Sequence, residues 1–204
     1  ASATISDPKH VYPVSNDTTY NVTLIITTGT GCVDSLTQVV NITGAPMVAF
    51  SFTNTANNGP CINNQFAFVD ESTTQSGVIQ EWFWDFGDGA TATLSDPIHF
   101  YGTAGIFTVS LTVVNTAGCD ATFTQDIVVF DLPTIDFAFD SVCFGDSTHF
   151  NDSDLIEVLA TAEWDYSFGD GASAMLSNPV HFYNTPGNYE AILQITDTNL
   201  CRNQ

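Results

Sequence analysis

The chain repeats itself at an interval of 82 residues, the distance from Cys61 to Cys143, and this constrains its fold more than any other feature. Two cysteines, a tryptophan, a Phe-Gly-Asp-Gly turn and a Pro-x-His-Phe-Tyr run recur without a gap. The matched positions are Cys61 and Cys143, Trp82 and Trp164, Phe86-Gly87-Asp88-Gly89 and Phe168-Gly169-Asp170-Gly171, His99-Phe100-Tyr101 and His181-Phe182-Tyr183, and Cys119 and Cys201. Part of an earlier copy carries His10, Tyr12 and Cys32. We therefore expect tandem domains: residues 1–44 as the C-terminal part of a truncated copy, 45–132 as a complete copy, and 133–204 as a copy lacking its last strand.

Each copy is predicted to be an all-β sandwich. Short alternating runs separated by turn residues give about seven strands in the complete copy. These strands are Met47–Thr53, Gln65–Asp70, Ile79–Phe86, Thr91–Leu94, Ile98–Tyr101, Phe107–Asn115 and Ala121–Phe130. Only Asp154–Ala162 has a spacing that would allow one or two turns of helix.

The most distinctive run, residues 82–89, combines a core face with a tight turn. On a strand, Trp82, Trp84 and Phe86 point to the same side, and the last copy keeps aromatic residues at the equivalent positions. Gly87-Asp88-Gly89 follows, where glycine permits positive φ and the Asp side chain can accept backbone N–H groups. We expect Asp88 and Asp170 to form turns; Asp85 is replaced by Ser167 in the last copy and so has no general role.

This run, followed by Pro97-x-His99-x-Tyr101 and a Gly105-x-Phe107-x-Val109-x-Leu111 strand, resembles the PKD-domain signature over nearly the whole chain. The resemblance implies immunoglobulin-like sandwiches of two antiparallel sheets. Such domains serve as spacers, adhesin repeats and accessory modules of secreted hydrolases. With their paired cysteines, the repeats also resemble those of very large surface proteins of Bacteroidetes-type bacteria, which implies an extracellular or cell-surface setting.

Candidate ligand and modification sites are few. The recurring histidines are predicted to be buried, hydrogen-bonded residues that brace a loop, because no second His or Cys lies at ligand spacing within a copy. Acidic loops offer calcium candidates, but without the spacing of a known calcium motif; they are Asp70, Glu71, Asp152 and Asp154. Short O-glycosylation patterns place candidate acceptors at Thr18, Ser35, Ser141 and Ser147. No cofactor is expected.

The cysteines allow two pairings. Equal spacing favours one bond within each repeat, Cys61 to Cys119 and Cys143 to Cys201. In an immunoglobulin-like sandwich, however, the loop after the first strand and the last hairpin lie at opposite ends, roughly 20 Å apart, beyond the reach of a disulfide. That geometry favours a bond between repeats, Cys61 to Cys201, with Cys32 and Cys119 reaching upstream partners and Cys143 a downstream one.

The charge narrows the functional classes. Twenty-three acidic residues against two basic ones give a formal net charge of −21, which disfavours binding to nucleic acid and to anionic membranes. No run is long enough to span a bilayer, and the N-terminus lacks signal-peptide features, so an export signal is expected elsewhere if the segment is exported.

The chain has no nucleophile with a base, no carboxylate pair and no metal cluster, so we do not expect an enzyme. The prediction is a structural or adhesive stalk or filament. Its partners would be neighbouring repeats, with self-association into fibres or contacts to surface glycans or proteins. The alternative is a carbohydrate- or protein-binding accessory module of a secreted hydrolase.

Overall fold

The computed structural model describes residues 2–12, 16–54, 59–152 and 163–204, and all regular elements in those ranges are β-strands. They are β1 (Thr18–Thr27), β2 (Val33–Ile42), β3 (Phe50–Asn54), β4 (Gln65–Asp70), β5 (Ile79–Asp85), β6 (Thr91–Ala92), β7 (Ile98–Phe100), β8 (Gly105–Asn115), β9 (Asp120–Val129), β10 (Phe137–Phe139), β11 (Thr148–Asp152), β12 (Glu163–Ser167), β13 (Ser173–Ala174), β14 (Val180–His181), β15 (Ile192–Thr196) and β16 (Arg202–Asn203). Within these ranges, no helix is long and apolar enough to cross a membrane. The helical turns predicted at Asp154–Ala162 lie outside the described residues.

The first repeat contributes a long antiparallel hairpin. β1 and β2 pair from Thr18 with Ile42 to Thr27 with Val33, without a bulge. A turn joins them, and the Thr28 N–H donates to the Cys32 carbonyl at 2.9 Å. Threonine and β-branched residues dominate both strands, in keeping with the pleated geometry that they favour.

The middle repeat contains a three-stranded sheet in the order β3-β4-β7 and a four-stranded sheet in the order β6-β5-β8-β9. Phe50 of β3 packs edge-on against Trp84 of β5, with ring centroids 5.1 Å apart. The alternation in β5 is the predicted one, since Trp84 is buried while Phe83 points to solvent. The first strand is shorter than predicted, because Met47 forms only an isolated bridge to Thr73.

The last repeat has the same two sheets, in the orders β10-β11-β14 and β13-β12-β15-β16. Its core joins them, since Phe150 of β11 packs against Tyr166 and Phe168 at 5.8 Å and 5.1 Å between ring centroids. Leu193 and Ile195 of β15 complete this core. The predicted all-β fold with immunoglobulin-like sandwich repeats is therefore confirmed.

The chain forms two compact units whose boundaries run through the middle repeat. One comprises Ala1–Ser51, Val69–Pro97 and Val109–Gln125; the other comprises Phe52–Phe68, Ile98–Thr108 and Asp126–Gln204. The second unit therefore contains the entire last repeat together with the part of the middle repeat that carries Cys61.

Candidate functional site

A disulfide crosses the boundary between the middle and last repeats. Cys61 and Cys201 are bonded with their Cα atoms 5.7 Å apart and a sequence separation of 140, and neither is exposed. The alternative within-repeat bonds are absent, because both would require one of these two residues. Cys32, Cys119 and Cys143 are thiols.

Backbone hydrogen bonds surround this disulfide. The Gly59 N–H donates to the Leu200 carbonyl at 3.0 Å, next to Cys201. Phe130, at the start of the linker, forms a parallel bridge with Cys61; its N–H donates to the Pro60 carbonyl at 2.8 Å, and its carbonyl accepts the Ile62 N–H at 2.9 Å. The junction therefore joins the loop at residues 59–62, the linker and the hairpin at residues 197–201.

The cysteine hairpin has a defined conformation. The Asp197 carboxylate is buried and accepts the N–H groups of Asn199 at 2.9 Å and Cys201 at 2.8 Å. Leu200 has a φ of 65°, which brings the chain sharply back to Cys201. These charge-assisted bonds to two N–H groups hold the hairpin that carries the Cys201 sulfur.

The middle repeat contains the same hairpin. The Asn115 side-chain carbonyl accepts the N–H groups of Ala117 and Cys119, each at 3.0 Å, and Gly118 has a φ of 79°. This hairpin contacts the preceding linker, since the Asn115 amide donates to the Gly44 carbonyl at 3.3 Å. Strand and turn patterns did not reveal this motif, although a polar residue stands four positions before each of the two hairpin cysteines, Cys119 and Cys201.

Gly59 lies directly against the backbone of the cysteine hairpin. A Cβ atom placed on this residue would clash with the Asn199 carbonyl oxygen. Any larger side chain would force the loop and the hairpin apart. The fit between repeats therefore depends on glycine at this position.

Two of the calcium candidates accept hydrogen bonds from tryptophans. Trp82 donates its indole N–H to Asp70 at 2.6 Å, and Trp164 donates to Asp152 at 2.8 Å. Glu71 accepts the Ser51 hydroxyl at 2.6 Å, and Asp154 lies outside the described residues. In the described ranges, no three His, Cys, Asp or Glu side chains are grouped so that they could hold a metal ion.

The Gly-Asp-Gly turns have the predicted chemistry. Asp88 accepts the Ala90 N–H at 3.0 Å, and Asp170 accepts the Ala172 N–H at 3.0 Å. The His181 ring lies 2.8 Å from Asp170. These bonds, first from Ala172 and then from His181, lower the pKa of Asp170.

His181 and Tyr183 brace the turn together. The His181 ring stacks on Phe168 with centroids 4.2 Å apart, and the Tyr183 hydroxyl donates to the Phe168 carbonyl at 3.1 Å. The histidine side chain is 13% exposed, so it is less buried than predicted. In the other copies, His99 and His10 keep the edge-on contact with the tyrosine two residues later.

The profile of the PKD domain family matches residues 43–129 and 131–204, which is most of the chain. The chain belongs to the PKD domain family. It is 37% identical over 93 residues to a microbial collagenase of Vibrio alginolyticus, a match covering 45% of this chain and 11% of that protein. It is 38% identical over 65 residues to Collagenase ColA of Bacillus cereus, covering 30% of this chain and 7% of that protein. The match thus spans about a tenth or less of each collagenase.

A solved relative is the PKD1 domain of the Vibrio cholerae metalloprotease PrtV. It shares 31% identity, with a TM-score of 0.37, and the match covers 42% of this chain and 98% of that domain. PKD domains are non-catalytic modules, and the residues that recur between the PKD repeats here are scaffold: the core aromatics, the turn and its brace.

The candidate glycosylation residues differ in exposure. Ser35 and Ser141 are exposed, whereas Thr18 and Ser147 are half-buried. Thr18 also donates its hydroxyl to the Asn16 carbonyl at 3.2 Å. Ser35 and Ser141 are therefore the more accessible of the four candidates.

Proposed function

We propose that this chain is a segment of disulfide-linked repeats in a secreted or cell-surface protein of the Bacteroidetes type. It works as a stalk or filament that projects from a surface or links surfaces. One observation carries the proposal: the buried Cys61–Cys201 disulfide joins successive PKD repeats. A force applied along the chain then passes through a covalent bond at the junction instead of unfolding both domains.

The same bond supports an extracellular location. Structural disulfides persist in oxidising compartments outside the cytosol. The net charge of −21 keeps a crowded surface soluble and lets neighbouring chains repel one another unless specific contacts join them. The collagenase relatives also support an extracellular setting, because collagen is an extracellular substrate.

The test is to shave intact cells of the producing organism with a protease specific for acidic or aromatic sites. Trypsin is unsuitable, because the chain contains only Lys9 and Arg202. Non-reducing peptide mass spectrometry should recover a Cys61–Cys201 crosslinked peptide from the released fraction. Recovery of Cys61 as a thiol, from the cell interior only, would contradict the proposal.

The second candidate is an accessory binding module of a secreted hydrolase, which the similarity to two collagenases favours. Co-sedimentation of the oxidised chain with fibrillar collagen separates the two functions. If the chain is a stalk or filament segment, its retention on the collagen fibrils should not be saturable. Saturable binding that survives physiological salt would support the accessory module instead.

A further inference from the structure

The last repeat has an open cleft at the end that carries Cys143. The cleft has a volume of about 370 Å³, and its lining includes Phe139, Cys143, Phe144, Tyr183 and Tyr189. Phe139 and Phe144 are 62% and 65% exposed, and the Cys143 thiol is exposed. Apolar side chains and a thiol therefore face solvent together.

The Cys143 loop already has the conformation of the bonded Cys61 loop. The Asp146 N–H donates to the Cys143 carbonyl at 3.0 Å, as the Asn64 N–H does to the Cys61 carbonyl at 3.2 Å. Gly145 has a positive φ of 105°, as Asn63 does at 61°. A stacked ring pair lies beside each loop: Tyr183 with Tyr189 at 4.2 Å, and Tyr101 with Phe107 at 4.4 Å.

The middle repeat shows what covers such a loop. Cys61 and Tyr101 are fully buried, and the Cys201 hairpin lies on the loop through the disulfide and the bond from Gly59 to Leu200. We propose that the cleft at Cys143 is the receiving half of a second covalent junction, and that its occupant is the cysteine hairpin of another PKD repeat. This inference shares with the proposed function only the Cys61–Cys201 bond.

The two loops differ in the two residues that precede the cysteine. Ser141 and Val142 stand where the middle repeat has Gly59 and Pro60. A Cβ at Gly59 would meet the Asn199 carbonyl, so the Cβ of Ser141 prevents a hairpin from packing as closely as it does at Gly59. The incoming hairpin must therefore lie further from Ser141. Replacing Ser141 with glycine should therefore ease docking.

Bond formation at this site is a two-electron oxidation of two thiols. With a small-molecule disulfide as oxidant, the hairpin thiolate attacks it and releases one small thiol. The Cys143 thiolate then attacks the hairpin sulfur of the mixed disulfide and releases the second. One protein disulfide forms, one small disulfide is reduced to two thiols, and the two protons from the protein pass to the leaving thiolates.

The test supplies a hairpin in the correct register. At the 82-residue interval Gln204 corresponds to Thr122, so residues 123–204 are appended directly after Gln204 of the full chain. The appended copy carries Leu200→Gly as a mass label for its hairpin, and Cys143→Ser so that the extended chain keeps a single Cys143. Oxidative refolding is followed by alkylation and non-reducing peptide mapping.

We expect Cys143 to be linked to the labelled hairpin. The control, in which the appended copy carries Cys201→Ser, should gain one alkylated cysteine, at Cys143. Ser141→Gly in the extended chain should raise the linked fraction. The inference is overturned if Cys143 is alkylated in the extended chain both with and without Ser141→Gly, while Cys61–Cys201 forms in the same digest. The proposed function fails separately, if Cys61–Cys201 itself does not form.

Discussion

The disulfide should limit how far the chain can be stretched. Tethered at both termini, the oxidised protein can extend only the residues outside the Cys61–Cys201 loop, because the covalent bond carries the force past the loop. The sequence separation is 140, and an extended chain spans at most about 3.3–3.6 Å per residue. Breaking the bond should therefore release roughly 46–50 nm of additional contour length.

The assay is single-molecule force spectroscopy on the full chain with and without a reductant. Cys61→Ser should show the long extension under both conditions. Cys143→Ser is the matched control, since it removes an exposed thiol that takes no part in the bond. Extension of the oxidised wild type by its whole contour length would show that the disulfide does not bear the force.

The same bond should also raise the free energy of unfolding. A loop of this length restricts the unfolded chain by about 5 kcal/mol in the chain-entropy treatment. Urea unfolding of Cys61→Ser beside Cys143→Ser measures this contribution. Equal midpoints for the two variants would show that the disulfide adds nothing to folding stability.

Three further results are expected from urea unfolding. Gly169→Ala should destabilise the protein more than Gly171→Ala. Both glycines have positive φ, which alone costs an alanine about 1–2 kcal/mol, but of the two only a Cβ at Gly169 meets a backbone oxygen, that of Glu190 at 2.5 Å. Equal losses of stability would contradict this. Leu200→Gly should stabilise the folded protein by roughly 0.5–1 kcal/mol, since the exposed leucine has positive φ. A loss of stability would show that the leucine side chain contributes to folding. The pKa of Asp170 is lowered from 3.8 in the folded protein, so the ionised carboxylate stabilises the fold fully above pH 3.8, and this contribution is lost as the pH falls through the folded-state pKa. Asp170→Asn should therefore make the free energy of unfolding depend less steeply on pH in this range. An unchanged slope would contradict this role.

The sequence predicted the fold well because the information needed was local and repeated. Alternation around Trp84 placed one face of β5 in the core, and turn residues bounded each strand. The errors lie at strand ends. Met47 was predicted to lie within the first strand, but only one bridge forms there, and the continuous strand begins at Phe50.

The tryptophan contacts could not be derived from strand patterns. Asp70 and Trp82 lie on different strands, so their meeting depends on how β4 and β5 are placed. One signal was available: the interval between this aspartate and this tryptophan is the same for Asp152 and Trp164. An acid that recurs at a fixed distance from a core tryptophan is a candidate partner for the indole N–H.

The two repeats retain backbone geometry while exchanging the side chains that hold it. Trp84 donates its indole N–H to the Leu94 carbonyl at 3.0 Å, and Tyr166 at the equivalent position donates its hydroxyl to the Ser177 carbonyl at 3.4 Å. Burial, followed by the charge of Asp152, raises the pKa of Tyr166 to about 12, so it remains a donor at any physiological pH. A different donor thus reaches the same loop.

The cysteine hairpins obey the same rule. Asn115 and Asp197 accept equivalent N–H groups, and Gly118 and Leu200 share positive φ. What the repeat preserves is therefore the position of the sulfur at the end of each hairpin, and a junction needs only a matching loop that places a second sulfur within reach. Residues that differ between copies at that loop, such as Gly59 and Ser141, then determine how closely the hairpin packs at each junction.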